Sequence, residues 1–384
     1  MVSLTNQHIS KSAHYFPIFA PLNNDFMARF HRLKVAEINR ETPDCVSVVF
    51  DVPANVRDEF NYIQGQYLTL KLNVNGEELR RSYSLCTSPV ADKEWRVAVK
   101  KVKDGRASTF INDKLKAGDE MEVMTPMGNF HAPLNGNEEK EYILFAGGSG
   151  ITPMLSIIKT VLVKEPKSKL RLFYGNRDEA SIIFDKQLNA LAAANPDRFH
   201  LHHILEHCST DIDELCRGIL LPEKVRSLLH KFVDLRTENI YFICGPGPMM
   251  ENVKSVLGEL KVDPKKIHIE YFTAVEAAVK AAEEKSSLPV VQSKVTVILD
   301  DEEVVFDLAS NGKSVLDVAQ EAGMDVPFAC KGGVCCTCRA KLMEGKVRMD
   351  QNFALSEEEL ERGYILTCQS HPVTEEVVIS FDEP

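Results

Sequence analysis

Residues 141–154 read EYILFAGGSGITPM, a short apolar strand, a glycine loop and the opening of a helix. Glycines 147, 148 and 150 allow a phosphate to approach the backbone and the positive end of the helix that follows. Thr152 suits the helix cap and Pro153 the first helical position. A glycine-rich turn by itself is weak evidence for nucleotide binding. Its position, after a strand and at the head of an alternating unit, is what gives it weight.

Downstream the alternation continues. Strands are expected at Leu170–Tyr174, Phe199–Leu205, Ile240–Cys244 and His268–Phe272, and helices at Met154–Leu162, Ile182–Ala193, Pro222–Leu229 and Met249–Leu260. That pattern predicts an α/β domain over 135–274, a parallel sheet with helices on both faces. Upstream, residues 29–134 hold short strands at Lys34–Ile38, Cys45–Val52, Tyr67–Val74, Arg81–Leu85 and Trp95–Val102, and one helix near Ser108–Leu115. Turn signals at Asn75-Gly76 and Asp104-Gly105 separate them, which predicts a small antiparallel β-barrel. Residues 1–28 read as an extension and 275–292 as a linker. The remaining 293–384 form a third unit, with strands at Val295–Asp300 and Glu303–Leu308 and a helix over Ser314–Ala322 capped by Ser314 and Asp317.

Charge sets this last unit apart. Residues 294–384 carry 8 Lys+Arg and 18 Asp+Glu, whereas the first 293 carry 37 and 38. A net charge of −11 argues against nucleic-acid binding, which needs a cationic face. No segment offers the ~20 apolar residues of a membrane span, and the N-terminus lacks the features of a secretion signal. The chain reads as cytoplasmic. In a reducing compartment, clustered cysteines point to metal or cofactor ligation rather than disulfides.

Such a cluster exists. Residues 329–338 read ACKGGVCCTC, and Cys330, Cys335, Cys338 and Cys368 have the C-x4-C-x2-C spacing of plant-type [2Fe–2S] centres with a distant fourth ligand. Gly332 and Gly333 let the backbone wrap and aim N–H groups at the sulfurs. The alternative is structural zinc, which prefers paired short spacings, and only one such pair is present. Cys336 is an extra thiol that the spacing leaves without a ligand role. Cys45, Cys86, Cys208 and Cys216 have no metal spacing. The histidine-rich stretch His200–His207 falls on a strand and is not assigned to a metal.

Other positions carry nucleotide chemistry. Gly175-Asn176-Arg177 follows the second strand of the alternating unit, where an NAD site usually places an acid. Arg177, with Ser181 nearby, suits a 2′-phosphate and so NADPH over NADH; the alternative is a solvated surface arginine. Cys244-Gly245-Pro246 ends a strand at the carboxyl edge, where open sheets bind ligands, so Cys244 is either a nicotinamide contact or plain core. In the barrel, alternation along Arg81-Ser82-Tyr83-Ser84 places Arg81 and Tyr83 on one face, a cation and an aromatic plane suited to a pyrophosphate and a flavin ring. Gly105 and Ser108 open the only barrel helix, a second N-terminus for a pyrophosphate.

Taken together, RSYS, GRAS, GGSGITP, CGPGPM and CKGGVCCTC…C resemble the ferredoxin–NADP reductase superfamily in its form with a C-terminal plant-type ferredoxin domain. ELRRSYSLC, GSGITPMLSII, YGNR, ACKGGVC, GYILTCQ and VVISFD resemble the reductase subunits of phenylacetyl-CoA epoxidases within it. The resemblance covers about residues 29–384. It implies an FAD-binding barrel, an NADP-binding domain, a β-grasp ferredoxin domain, and electron flow from NADPH through FAD and [2Fe–2S] to a separate di-iron oxygenase. It also implies roles: Arg81 and Ser108 at FAD phosphates, Tyr83 stacked on the isoalloxazine, Ser84 near its N5. Gly147, Gly148, Gly150, Thr152, Gly245 and Pro246 would face NADPH, and Cys244 and Glu270 the nicotinamide. Other oxygenases, steroid- or aromatic-ring hydroxylases, remain alternative acceptors, and a non-catalytic redox-sensing subunit an alternative role. The sequence departs from the superfamily at Gln64-Gly65, often Pro-Gly, and at Cys336, usually a small residue.

Overall fold

The computed structural model describes residues 29–209, 212–273 and 289–383. The expected extension, and the linker up to residue 288, lie outside the described residues.

The first module is a six-stranded antiparallel sheet, β1 (Phe30–Thr42), β2 (Cys45–Asp51), β3 (Tyr67–Val74), β4 (Glu77–Ser84), β5 (Trp95–Lys100) and β6 (Glu120–Met124), in the order β4-β3-β6-β1-β2-β5. A bridge between Leu85 and Val97 brings its two edges together as a barrel. Helix α1 (Arg106–Asp113) follows β5. The β3–β4 hairpin turns on Asn75 and Gly76, both at positive φ (55° and 83°), the mirror-image turn that matches strand twist. The sequence reading missed β6, although Glu120-Met121-Glu122-Val123 alternates polar and apolar. It pairs with both β1 and β3 and holds the centre of the sheet.

The second module contains β7 (Glu141–Gly147), α2 (Ile151–Lys164), β8 (Lys169–Asn176), α3 (Asp185–Ala194), β9 (Phe199–Leu205), α4 (Pro222–Phe232), β10 (Asn239–Cys244), α5 (Gly247–Glu259) and β11 (Ile267–Glu270). All its strand pairs are parallel, in the order β11-β10-β7-β8-β9. Strand β7 is apolar throughout because both its faces are covered. Tyr142, Leu144 and Ala146 pack with α2, and Ile143 and Phe145 with α4 and α5. The order reverses between β7 and β10, which opens a crevice at their carboxyl ends. The N-cap of α2 is Gly150, two residues before the expected Thr152. Thr152 lies inside its first turn, with Oγ1 donating to the Ser149 carbonyl at 3.0 Å.

The third module comprises β12 (Gln292–Leu299), β13 (Glu302–Ala309), α6 (Val315–Glu321), β14 (Arg339–Glu344), β15 (Val347–Met349), α7 (Glu357–Glu361), β16 (Tyr364–Leu366), β17 (Ser370–Pro372) and β18 (Glu376–Ser380). Its main sheet runs β13-β12-β18-β14-β16, with β12 and β18 parallel. Asp300 and Asp301 turn the β12–β13 hairpin at φ 53° and 62°. Ser314 caps α6 by accepting from the Asp317 amide at 3.2 Å, as anticipated.

Gly65 shows why the barrel tolerates its unusual turn. It sits at φ +89°, and a β-carbon there would lie 2.0 Å from the Phe130 carbonyl oxygen. Gly65→Ala is expected to destabilise the barrel by about 2 kcal/mol or more. The sole tryptophan, Trp95, lies in β5 and donates to the Phe60 carbonyl at 2.7 Å. Its fluorescence in a urea titration reports the loss.

Candidate functional site

Three binding features meet where the modules join. The cysteine loop between α6 and β14 is turned by Lys331 and Gly333, both at positive φ (51° and 71°). The Gly332 amide donates to Cys330 Sγ at 3.3 Å, and the Val334 amide also points at that sulfur. A β-carbon on Gly333 would sit 3.1 Å from the Gln351 carbonyl, so the loop is tightly braced. Cys368 reaches it because Thr367 binds the Cys338 carbonyl through its amide (3.2 Å) and hydroxyl (3.0 Å).

Among the described residues, no three His, Cys, Asp or Glu converge as a single-ion site requires. The four thiols instead contact one another in series, Cys335 to Cys330 to Cys368 to Cys338. That spread-out soft donor set fits a two-iron cluster held by two thiolates at each iron. Cys336 turns the other way, to the barrel, with Sγ 3.2 Å from the Tyr67 hydroxyl.

Beside the loop lies a cavity of about 310 Å³ lined by Tyr67, Arg81, Ser82, Ser84, Glu270, Phe272, Cys330 and Cys335, among others. It brings together the cation and hydroxyls that a flavin head requires with two of the cluster cysteines. Ser84 Oγ donates to Glu270 Oε2 at 3.1 Å, across the barrel–sheet boundary. Although part of Glu270 faces solvent, its carboxyl end is turned inward, and burial raises its pKa to about 8. Tyr83 is half-buried against the barrel core, and burial raises its hydroxyl pKa. The Ser108 hydroxyl is already engaged. It accepts from the Val102 amide (3.1 Å) and donates to the Gly105 carbonyl (3.2 Å), so only the α1 backbone there can meet a phosphate.

The second cleft, about 430 Å³, follows the crevice between β7 and β10. Gly147, Gly148, Pro246 and Arg177 line it together with Lys100, Glu206 and Asn252, which the sequence reading did not select. Gly150 does not line it. A β-carbon there would lie 2.1 Å from the Cys244 carbonyl, so this glycine serves close helix–strand packing. Gly245 likewise packs against Gly147 and Met249. Ser181 is also absent from the cleft. It is buried in a reciprocal cap with Asp178, whose amide it accepts at 3.2 Å. Cys244 has no exposed surface and belongs to the sheet core, opposite Glu270 in the β10–β11 ladder. Arg177 is 62% exposed and lies 3.5 Å from Asp44 of the barrel. His202 is half-buried, stacked on Phe173 at 5.2 Å and tilted against Phe232 at 4.3 Å.

Barrel, parallel sheet and cysteine-bearing module define an oxidoreductase of the flavin, pyridine-nucleotide and [2Fe–2S] type. Three domain families match the chain in the same order: an oxidoreductase FAD-binding domain over 32–132, an oxidoreductase NAD-binding domain over 144–255 and a 2Fe-2S iron-sulfur cluster binding domain over 297–373. The chain is 40% identical to a component of the 1,2-phenylacetyl-CoA epoxidase of Escherichia coli (strain K12), over 93% of this chain and 99% of that one. It is 37% identical to the ferredoxin reductase component of 3-ketosteroid-9-alpha-monooxygenase of Mycobacterium tuberculosis (strain CDC 1551 / Oshkosh), over 91% of this chain and 96% of that one. Among solved structures, phthalate dioxygenase reductase superposes with a TM-score of 0.55 at 26% identity, covering 91% of this chain and 98% of that one. The chain belongs to the reductase components of multicomponent oxygenases, within the ferredoxin–NADP reductase superfamily. Among the described residues no helix is long and apolar enough to cross a membrane.

The raised Glu270 pKa gives a signed prediction. Its native carboxyl binds a proton more tightly than the ordinary value of 4.5 allows. Its contribution to stability is therefore complete below about pH 4.5 and is lost as pH rises through about 8. Glu270→Gln should flatten that slope. Urea midpoints of flavin-free protein across this interval measure it, and an unchanged slope would refute the assignment.

Proposed function

We propose that the chain carries electrons from NADPH through FAD and a [2Fe–2S] cluster to a separate di-iron oxygenase, phenylacetyl-CoA epoxidase in phenylacetate degradation. One observation carries the relay: a single cavity is bordered by the flavin-motif residues Arg81 and Ser84, by Glu270 of the nucleotide domain, and by Cys330 and Cys335. When bound, FAD supplies hydride acceptance and single-electron release, and the cluster supplies one-electron carriage.

The side chains then have definite tasks. Arg81 offers a cation to the flavin phosphates, the α1 N-terminus offers backbone N–H groups to them, and Tyr83 offers its ring to the isoalloxazine. Ser84 Oγ is held by Glu270 at the edge where the flavin N5 would meet the nicotinamide. Cysteines 330, 335, 338 and 368 hold the cluster. Gly147 and Gly148 admit the nucleotide phosphates, and Lys100 supplies a cation from the barrel. Arg177 at the end of β8 supports the 2′-phosphate of NADPH, although Glu206 borders the same cleft. The ten cysteines, none in a disulfide, agree with a cytoplasmic protein.

The epoxidase assignment rests on similarity along nearly the whole chain to the Escherichia coli epoxidase component. The similarity to a steroid monooxygenase reductase makes a steroid-ring hydroxylase the competing acceptor. Reconstitution of electron transfer to purified phenylacetyl-CoA epoxidase oxygenase, against a steroid hydroxylase, separates the two.

Visible and EPR spectra before and after NADPH, repeated with NADH, test the relay itself. Flavin bleaching followed by a reduced [2Fe–2S] signal is expected, and absence of either chromophore from freshly prepared protein would overturn the assignment. Arg177→Ala should raise KM for NADPH about tenfold while leaving NADH unchanged, the loss of a charged contact to phosphate. Equal effects on both nucleotides would remove Arg177 from that role. The exposed acids Glu357, Glu358 and Glu361 on α7 lie on the strongly acidic module. Their replacement by Gln should slow reduction of the oxygenase and weaken its salt dependence, with NADPH-to-FAD reduction intact.

A further inference from the structure

The relay needs the cluster loop to be fixed against the flavin cleft, and four barrel side chains, Arg80, Asn129, Tyr67 and Thr69, make polar bridges to the cluster module. Arg80, 4% exposed, pairs with Asp325 at 2.6 Å, and its guanidinium lies 4.4 Å from the ring centre of Phe328. Asn129 donates to Glu359 at 2.6 Å. The third bridge reaches the cysteine loop itself. The Tyr67 hydroxyl accepts from the Cys336 amide at 3.1 Å and stands 3.2 Å from both Cys336 Sγ and Thr337 Oγ1.

Tyr67 opens β3 of the barrel, yet its ring packs into the hydrophobic core of the cluster module. It also borders the flavin cavity beside Ser84 and Cys335. It is 5% exposed and Cys336 4%, so water has little access to replace the bonds between them. Cys336, left without a ligand role by the cysteine spacing, is the residue through which the loop meets another module.

We propose that Tyr67 and Cys336 form the contact that seats the cluster loop against the flavin cleft, making them positioning residues for the flavin-to-cluster electron step. The proposal rests on the relay read above. Arg80 and Asn129 hold the two modules together outside residues 334–338. The Tyr67 bridge acts directly on the segment that carries Cys335 and Cys338, where Thr69 Oγ1 of the barrel adds a longer hydroxyl contact to Thr337 at 3.4 Å.

Holoprotein carrying Cys336→Val, Cys336→Ser or Tyr67→Phe tests it with two readouts. Hydrogen–deuterium exchange across residues 334–338 should quicken about fivefold in Tyr67→Phe, which removes the acceptor of the Cys336 amide and keeps the ring. In anaerobic stopped flow with NADPH, Cys336→Val should leave flavin reduction unchanged and slow cluster reduction about fivefold, the factor equivalent to a net hydrogen bond of about 1 kcal/mol. Cys336→Ser, which keeps a donor and acceptor, should restore the rate. Wild-type exchange in Tyr67→Phe together with wild-type cluster reduction in Cys336→Val would overturn the proposal. If Cys336→Val assembles no cluster, the Tyr67→Phe exchange result decides. Quickened exchange in a protein whose flavin NADPH does not reduce would support the seating contact while refuting the relay.

Discussion

The hydrogen bond from Ser84 to Glu270 joins the end of the flavin-motif strand to the last strand of the parallel sheet. The redox architecture depends on that junction. Ser84 is buried, and the Glu270 carboxyl is held at a raised pKa by its surroundings, so neither group is an ordinary surface side chain. The two modules also share a hydrophobic cluster that includes Cys86, Phe130 and Ile157, and Ser156 donates to the Thr87 carbonyl at 2.6 Å, so a broad interface sets their placement and the Ser84–Glu270 bond is its part at the cavity. The cluster module completes the cavity by bringing Cys330 and Cys335 to the same wall.

Close backbone approach is the second requirement. Gly150 lies so near the Cys244 carbonyl that any side chain would force the nucleotide loop away from β10. Gly65 does the equivalent service in the barrel against Phe130. These glycines shape the sites without touching ligand space. Gly147 and Gly148, by contrast, lie on the cleft itself. One motif thus divides its glycines between packing and binding, because the phosphate loop must be both close to the sheet and open to a ligand.

Much of the architecture was legible in the sequence because it is encoded by local pattern. Strands β3 and β9 run over Tyr67–Val74 and Phe199–Leu205, as their apolar patterning requires. The Asn75-Gly76 and Asp300-Asp301 turns adopt the positive φ that such residues tolerate. Short β14–β18 were not anticipated, since runs of three to six residues have too few periods to register above the surrounding loop. Ser181 was selected for being near Arg177 in the chain. Its hydroxyl is instead used by the turn it sits in, a competition that spacing does not show.

The sequence by itself determined the three modules and their order, and it marked four candidate cluster cysteines and candidate flavin and nucleotide motifs, because most of these depend on residues within a few positions of one another. Cys368 is the exception: it is distant, and it enters the set through the C-x4-C-x2-C spacing with a distant fourth cysteine and the GYILTCQ resemblance. Tertiary structure alone decided that Lys100 borders the second cleft, that Cys244 is buried in the sheet core, and that Tyr67 reaches into the cluster loop. Those facts depend on how separate modules pack. Packing is set by long-range surface complementarity that no local period or spacing records.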